Sequence, residues 1–172
     1  MPYRTKTYIA AEWDGDGELV DVLRKWNESE HWGLNYLDAH ELGESRDSSL
    51  NCTIKDSLGF RLARSKTFVL IIGENTTTAT AGACRYCNNY VGYSHSCRRG
   101  RRIDNQSYIE YECGYAARNI GKIVVLYNYL HVDKSKCPEV LRTKGVHIPA
   151  YYKDTDGKYY WDYWAIRKAI GD

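Results

Sequence analysis

Two runs of consecutive apolar residues mark the centre of the predicted fold. Residues 68–72 (FVLII) and 123–126 (IVVL) are continuous and mostly aliphatic. Such runs are typical of strands that are buried on both faces of a parallel sheet. A third run, residues 7–11, predicts another strand near the N-terminus, and weaker patterns predict short strands at 34–37 and around His147-Ile148.

Apolar residues at helical spacing lie between these strands. They predict a helix over 18–29, preceded by a loop at Asp14-Gly15-Asp16-Gly17. A second helix follows Ser48-Ser49, which can cap it, and carries its apolar stripe from Leu50 to Leu62. A third begins at the capping-box pair Ser107 and Glu110, and a fourth is predicted over 161–170.

Strands that alternate with helices predict one α/β domain over residues 1–172, with helices on both faces of a parallel sheet. In such sheets ligands bind beyond the carboxyl ends of the strands. The residues just after the predicted strands are therefore the candidates for a binding site. They are Trp13 and Asp14, the segment 38–49, residues 74–76, and Tyr127-Asn128.

Composition and charge exclude several classes of protein. Charged residues make up 27% of the chain and the net charge is only +2, which argues against a general nucleic-acid or membrane-surface binder. The longest aliphatic run is far too short to cross a bilayer, and the first residues lack the apolar core of a signal peptide. A cytoplasmic protein without a membrane partner is expected.

Three of the six cysteines crowd into one polar segment. Cys84, Cys87, His95 and Cys97 together offer four ligands of the kind that tetrahedral zinc prefers. The alternative is that these cysteines are reduced and bind no metal. The arginine-rich run at 98–102 that follows could attract a phosphate-bearing ligand or a nucleic acid, or serve only solubility.

Four stretches of the sequence resemble the TIR-like proteins of the bacterial Thoeris antiphage system. They are RDSSL at 46–50, TIK at 53–55, SKTFVLIIGENT at 65–76 and YIEYECGYA at 108–116. The resemblance extends over roughly residues 7–141. The family pattern of an aromatic residue, an aliphatic residue, a glutamate and a final alanine is matched by Tyr108, Ile109, Glu112 and Ala116.

The resemblance implies a flavodoxin-like, TIR-like fold, with the Cys-rich segment at about 76–105 as an insertion. It also implies that NAD+ is the substrate. Members of the family cleave the nicotinamide–ribose bond and make a cyclic or conjugated ADP-ribose nucleotide, which signals to a separate effector protein. Family members often self-associate, so a homo-oligomer is expected.

The family pattern makes Glu112 the candidate catalytic residue, with Trp13, Asp14, Asp47 and Tyr108 around the substrate. The helical pattern alone favours a different role for Glu112, as a surface carboxylate that interacts favourably with the helix dipole. Asp14 and Asp47 could equally cap helices, and Trp13 could lie at the margin of the core.

A non-catalytic TIR-like module is the main alternative function. It would bind a protein or a nucleic acid through the Cys- and Arg-rich loop. The many Tyr and Trp residues at 151–164 also allow two explanations, since they could form an interface between copies of the chain or pack within one copy.

Overall fold

The computed structural model of the protein describes residues 5–39 and 50–171. Its strands and helices, in chain order, are β1 (Lys6–Ala10), α1 (Trp13–Glu28), α2 (Asn51–Ala63), β2 (Ser65–Ile72), β3 (Tyr90–Val91), β4 (Ser96–Cys97), α3 (Tyr108–Asn119), β5 (Lys122–Tyr127), β6 (Val146–Pro149), β7 (Tyr151–Lys153), β8 (Tyr159–Trp161) and α4 (Tyr163–Ile170). No helix in these described ranges is both long and apolar enough to cross a membrane.

A parallel four-stranded sheet in the order β1-β2-β5-β6 forms the centre of the domain. Beyond β1, a single parallel bridge joins Thr7 to Asp38. The strand predicted at 34–37 is therefore reduced to this one bridge. The left-handed φ of +55° at Asn35 interrupts the extended backbone there, so a regular strand cannot form.

The side chains of the central strands alternate between two apolar cores. One core, with Tyr8, Phe68 and Val125, is covered by α2 and α3. The other, with Ile9, Val69 and Val124, is covered by α1 and α4. This arrangement confirms the α/β fold of the TIR-like kind that the sequence predicted.

The first helix begins earlier than predicted. Glu12 is its N-cap, and the Glu12 carboxylate accepts a hydrogen bond from the backbone N–H of Gly15 at 3.0 Å. The predicted loop at Asp14-Gly15-Asp16-Gly17 is therefore wrong, because these residues form the first helical turn. Carboxylates are favoured there by the helix dipole, which offsets the poor helix propensity of the two glycines.

The third helix begins as predicted. Ser107 Oγ accepts a hydrogen bond from the Glu110 N–H, and Glu110 Oε2 accepts one from the Ser107 N–H. The second helix has Leu50 as its N-cap without a side-chain hydrogen bond. The proposed caps Ser48 and Ser49 lie outside the described residues.

Some of the C-terminal aromatic residues pack within the chain, and others are exposed. Tyr163, at the start of α4, is buried and makes edge contacts with Trp26 and Trp32. Trp161 stacks on Tyr151 across the β7–β8 hairpin, which the sequence did not predict. Trp164 is 70% exposed. Packing within the chain thus accounts for some of these side chains and leaves Trp164 on the surface.

Gly145 allows β6 to approach β5, and its replacement tests this contact. Its φ is +77°, and a Cβ there would lie 2.3 Å from the carbonyl oxygen of Ile123. We expect Gly145→Ala to lower the free energy of unfolding by roughly 3 kcal/mol, because left-handed strain and a backbone clash add together. Urea unfolding measures the loss.

Gly157→Ala is the matched control for this prediction. Gly157 has a similar φ of +81°, but a Cβ there meets no atom within 4 Å. Its replacement should therefore cost only the backbone strain, on the order of 1 kcal/mol. Equal losses in the two variants would show that β5 and β6 do not meet as closely as described.

Candidate functional site

Glu112 is a buried carboxyl group between α3 and β1. It lies on the second turn of α3, beside Ile109 and Cys113 on the face that packs against the sheet. Its side chain is 6% exposed. The hydroxyl of Tyr8, in the middle of β1, donates a hydrogen bond to Glu112 Oε1. The alternative of a surface carboxylate is therefore wrong.

The surroundings of Glu112 disfavour its charged form. Burial raises the pKa of Glu112 from 4.5 to about 7, although the hydrogen bond from Tyr8 and the positive charge of Arg61 act in the opposite direction. Burial, together with the negative charge of Glu112, also raises the pKa of Tyr8 well above its usual value. Tyr8 therefore keeps its proton and stays a hydrogen-bond donor to the carboxylate.

Arg61 places a cation in the same buried region. It lies near the end of α2 and is 4% exposed. Its Nε and Nη2 atoms have no hydrogen-bond partner among the described residues. We call Tyr8, Arg61 and Glu112 the buried polar cluster. It combines a donor, a cation and a carboxylate that titrates near neutral pH, in a region where charges interact more strongly than in water.

Asp16 is a second buried carboxyl group, at the carboxyl edge of the sheet. The side-chain amide of Asn128, which follows β5, donates a hydrogen bond to Asp16 Oδ1 at 2.9 Å. Asp16 lies directly against Gly73, the residue after β2. The side chain is 1% exposed, and its Oδ2 has no partner in the described part of the chain. Burial raises the pKa of Asp16.

The position of Asp16 is the one where ligands bind in this class of fold. The chain leaves β1 toward one edge of the sheet and returns to β2 on the other side, so β1 and β2 flank the topological switch point. Asp16 was not among the predicted site residues because the pattern of glycines predicted a loop there. The available signal was helical spacing, since Asp16 lies three residues before Leu19 on the apolar stripe of α1.

Of the predicted substrate contacts on α1, the structure separates Asp14 from Glu112. Trp13 is the first residue of α1, and Asp14 is exposed in the first turn of that helix. Because α1 covers the opposite face of the sheet from α3, the structure does not bring Asp14 beside Glu112. Asp47 lies outside the described residues.

Tyr108 lies one helical turn before Glu112, at the N-terminus of α3. Its hydroxyl donates a hydrogen bond to Asn51 Oδ1 at 3.1 Å, at the start of α2. Its ring packs against Gly82, where any Cβ would come within 2.5 Å of it. Tyr108 thus joins the N-termini of the two helices that cover the buried polar cluster.

The predicted zinc ligands do not form a metal-binding group. Over residues 5–39 and 50–171, no three or more His, Cys, Asp and Glu side chains are placed so that they could hold a metal ion. His95 is exposed, with a left-handed φ of +47°, and its Nδ1 is hydrogen-bonded to the hydroxyl of Tyr90 at 2.8 Å. This bond occupies one of the two ring nitrogens of the imidazole. Zinc binding itself stays a prediction.

A family model matches part of the N-terminal half of the chain. Residues 8–81 match the family model described as the TIR-like domain of the Thoeris protein ThsB. No curated protein matches the chain. The matched segment includes Tyr8, Asp16, Arg61 and Gly73, and it ends before α3 and Glu112. Over residues 8–81, the chain therefore matches the Thoeris ThsB TIR-like domain family that its motifs indicated.

Proposed function

We propose that this protein is an NAD+-consuming TIR-like enzyme of bacterial antiphage defence. It cleaves the bond between nicotinamide and ribose and makes a cyclic or conjugated ADP-ribose nucleotide that signals to a separate effector. Glu112 is the catalytic carboxylate. The observation that carries the proposal is the burial of this carboxyl group against Tyr8 of β1, with its pKa raised to about 7.

Packing alone gives no reason for a carboxyl group at position 112. The neighbouring positions on this face of α3 are Ile109, Cys113 and Ala116, all apolar and buried. An apolar side chain of similar size would avoid the free-energy cost of desolvating a carboxylate, although Tyr8 and Arg61 would then lose their partner. A strongly shifted pKa at such a position is characteristic of functional sites.

The chemistry of NAD+ cleavage suits a single carboxylate. Nicotinamide departs as a neutral molecule from a cationic ring, so no general acid is needed. The ribose carbon gains positive charge in the transition state, and a nearby carboxylate stabilises it. The apolar walls around Glu112 strengthen that interaction, since they exclude water. The hydrogen bond from Tyr8 holds the carboxylate in one orientation.

The substrate must reach Glu112 from the carboxyl edge of the sheet. Tyr108 lies one helical turn nearer to this edge than Glu112, and its hydroxyl is bonded to Asn51. Displacement of the Tyr108 side chain would open the route. Trp13, Asp14, Asp47 and Tyr108 remain the proposed contacts for the dinucleotide, and Asp16 joins them at the switch point.

Replacement of Glu112 by glutamine tests the catalytic assignment. We expect Glu112→Gln to lower the rate of NAD+ cleavage by about 100-fold or more, because the amide keeps the shape of the side chain and loses its charge. The fold should persist, since no charge is left to bury. Mass spectrometry of the products of purified protein with NAD+ measures the rate.

Glu110→Gln is the control for this experiment. Glu110 is also on α3, and its capping bond to Ser107 accounts for it. The variant should keep its activity and lose at most about 1 kcal/mol of stability. Equal loss of activity in both variants, at equal stability, would remove Glu112 from the mechanism. Absence of NAD+ cleavage by the wild-type protein in every assembled form would favour the non-catalytic module.

The raised pKa of Glu112 predicts opposite pH trends for stability and activity. Between pH 4.5 and about 7 the folded protein holds a proton that the unfolded chain has released. Stability is therefore fully present below the unfolded value and is lost as pH rises through the folded value, by roughly 3 kcal/mol in total. Activity should rise across the same range, because the carboxylate is the active form.

Urea unfolding at pH 5 and pH 8 measures the stability trend. As the pH rises, Glu112→Gln should become more stable relative to the wild type, because only the wild type loses the contribution of a protonated Glu112. Other titrating groups contribute equally to both proteins and cancel in this difference. The same pH dependence in the two proteins would mean that Glu112 is not buried as described.

Self-association, which the family resemblance implies, has a candidate contact in Trp164. This side chain is 70% exposed next to Arg167, and tryptophan is enriched in interface cores. We expect Trp164→Ala to lower the mass measured by light scattering at a fixed concentration. Tyr93→Ala removes another exposed aromatic residue, 93% exposed in the Cys-rich segment, and should leave the mass unchanged. A wild-type monomer over a hundredfold dilution would exclude assembly.

A further inference from the structure

Four cysteines line one small cavity at the N-terminus of α2. The cavity has a volume of about 20 Å³, and Cys52, Cys84, Cys87 and Cys97 all contribute to its wall. All four are free thiols and half-buried. The other two cysteines, Cys113 and Cys137, are buried in the α2–α3 core and explained by packing.

We propose that these four thiolates bind one Zn²⁺ ion, with Cys52 in the place that the sequence pattern gave to His95. The proposal stands apart from NAD+ chemistry. Four cysteine thiolates form one of the usual tetrahedral ligand sets of structural zinc. A cavity of this size accommodates about one water molecule, which makes it suitable for an ion.

Two tight turns present three of the thiols. Cys84 begins a turn in which the Cys87 N–H donates to the Cys84 carbonyl at 2.9 Å. Cys97 begins another, closed by the N–H of Gly100 at 2.9 Å, with Gly100 at a left-handed φ of +70°. The antiparallel pairing of Tyr90 with Cys97 places the second turn next to the first.

The fourth thiol comes from the helix. Cys52 is the second residue of α2, and this position sets it in the wall of the cavity. His95 is absent from the wall of the cavity and is held by Tyr90. The structure therefore favours Cys52 over His95 as the ligand.

The charges around the cavity suit an anionic metal centre. Zinc with four thiolates carries a net charge of −2, and Arg99, Arg101 and Arg102 line the same cavity. The backbone N–H of Asp104 donates to Cys84 Sγ at 3.3 Å, a kind of hydrogen bond that supports metal-bound sulfur. In this proposal the arginine-rich run balances the negative charge of the metal centre, a role beyond solubility.

The surrounding segments are already fixed against α2. The ammonium group of Lys55 binds the Asp104 carboxylate at 2.8 Å and the Gln106 carbonyl oxygen at 2.7 Å. In the described residues these thiols are not yet grouped to hold a metal ion, so zinc binding requires their side chains to change rotamer. Bound zinc would then hold the β3–β4 hairpin against the start of α2.

Elemental analysis of the full chain, purified without added metal, tests the site. We expect about one equivalent of zinc in the wild type, about one in His95→Ala, and a loss of most of it in Cys52→Ser. Retention of zinc by Cys52→Ser together with its loss from His95→Ala would overturn the proposal in favour of the His95 set. Metal-free wild-type protein that also fails to bind added zinc would overturn both.

Cobalt substitution of the wild-type protein gives a result that does not depend on how the variants fold. After removal of zinc with a chelator, Co²⁺ should give the visible absorption of a tetrahedral site and the sulfur charge-transfer intensity of four thiolates. Intensity corresponding to three thiolates would overturn the inclusion of Cys52. An intact mass lowered by two hydrogens per cysteine pair would instead show disulfides, and would also overturn the proposal.

Discussion

The two-sided burial of β2 is the constraint on which the rest of the structure depends. From Thr67 onward this strand is entirely buried, with a parallel partner on each side and an apolar core on each face. A strand in this position needs helices above and below it, and α2 and α3 on one face and α1 and α4 on the other supply them. The same requirement brings the N-termini of these helices to the carboxyl edge of the sheet, where the candidate site lies.

The central part of this fold could be predicted from the sequence because its signals are local. The apolar runs at 68–72 and 123–126 and the capping box at Ser107 depend on few residues, and each lies within one element. The start of α1 was misplaced because the capping bond of Glu12 outweighs the two glycines that follow it. The predicted short strand at 34–37 does not form because Asn35 has a left-handed backbone conformation. The spacing of apolar residues carries no signal of that conformation.

The candidate site was only partly predictable, since its contacts join distant segments. The family pattern identified Glu112 as a candidate. Its buried partners, Tyr8 and Arg61, come from β1 and α2 and could not be read from that pattern. In the same way the spacing of Cys84, Cys87 and Cys97 suggested a metal site, while Cys52 became a candidate only when α2 was placed beside the hairpin. Local patterns can name some members of such a group, and the fold supplies the others.

The contact between Asp16 and Gly73 constrains how this domain can change over time. The Asp16 carboxylate occupies the space that any side chain at position 73 would need. A substitution at 73 therefore requires a smaller or displaced residue at 16, and the bond from Asn128 would be lost with it. The three positions should covary among related sequences, and an aspartate kept at 16 should be accompanied by a glycine at 73.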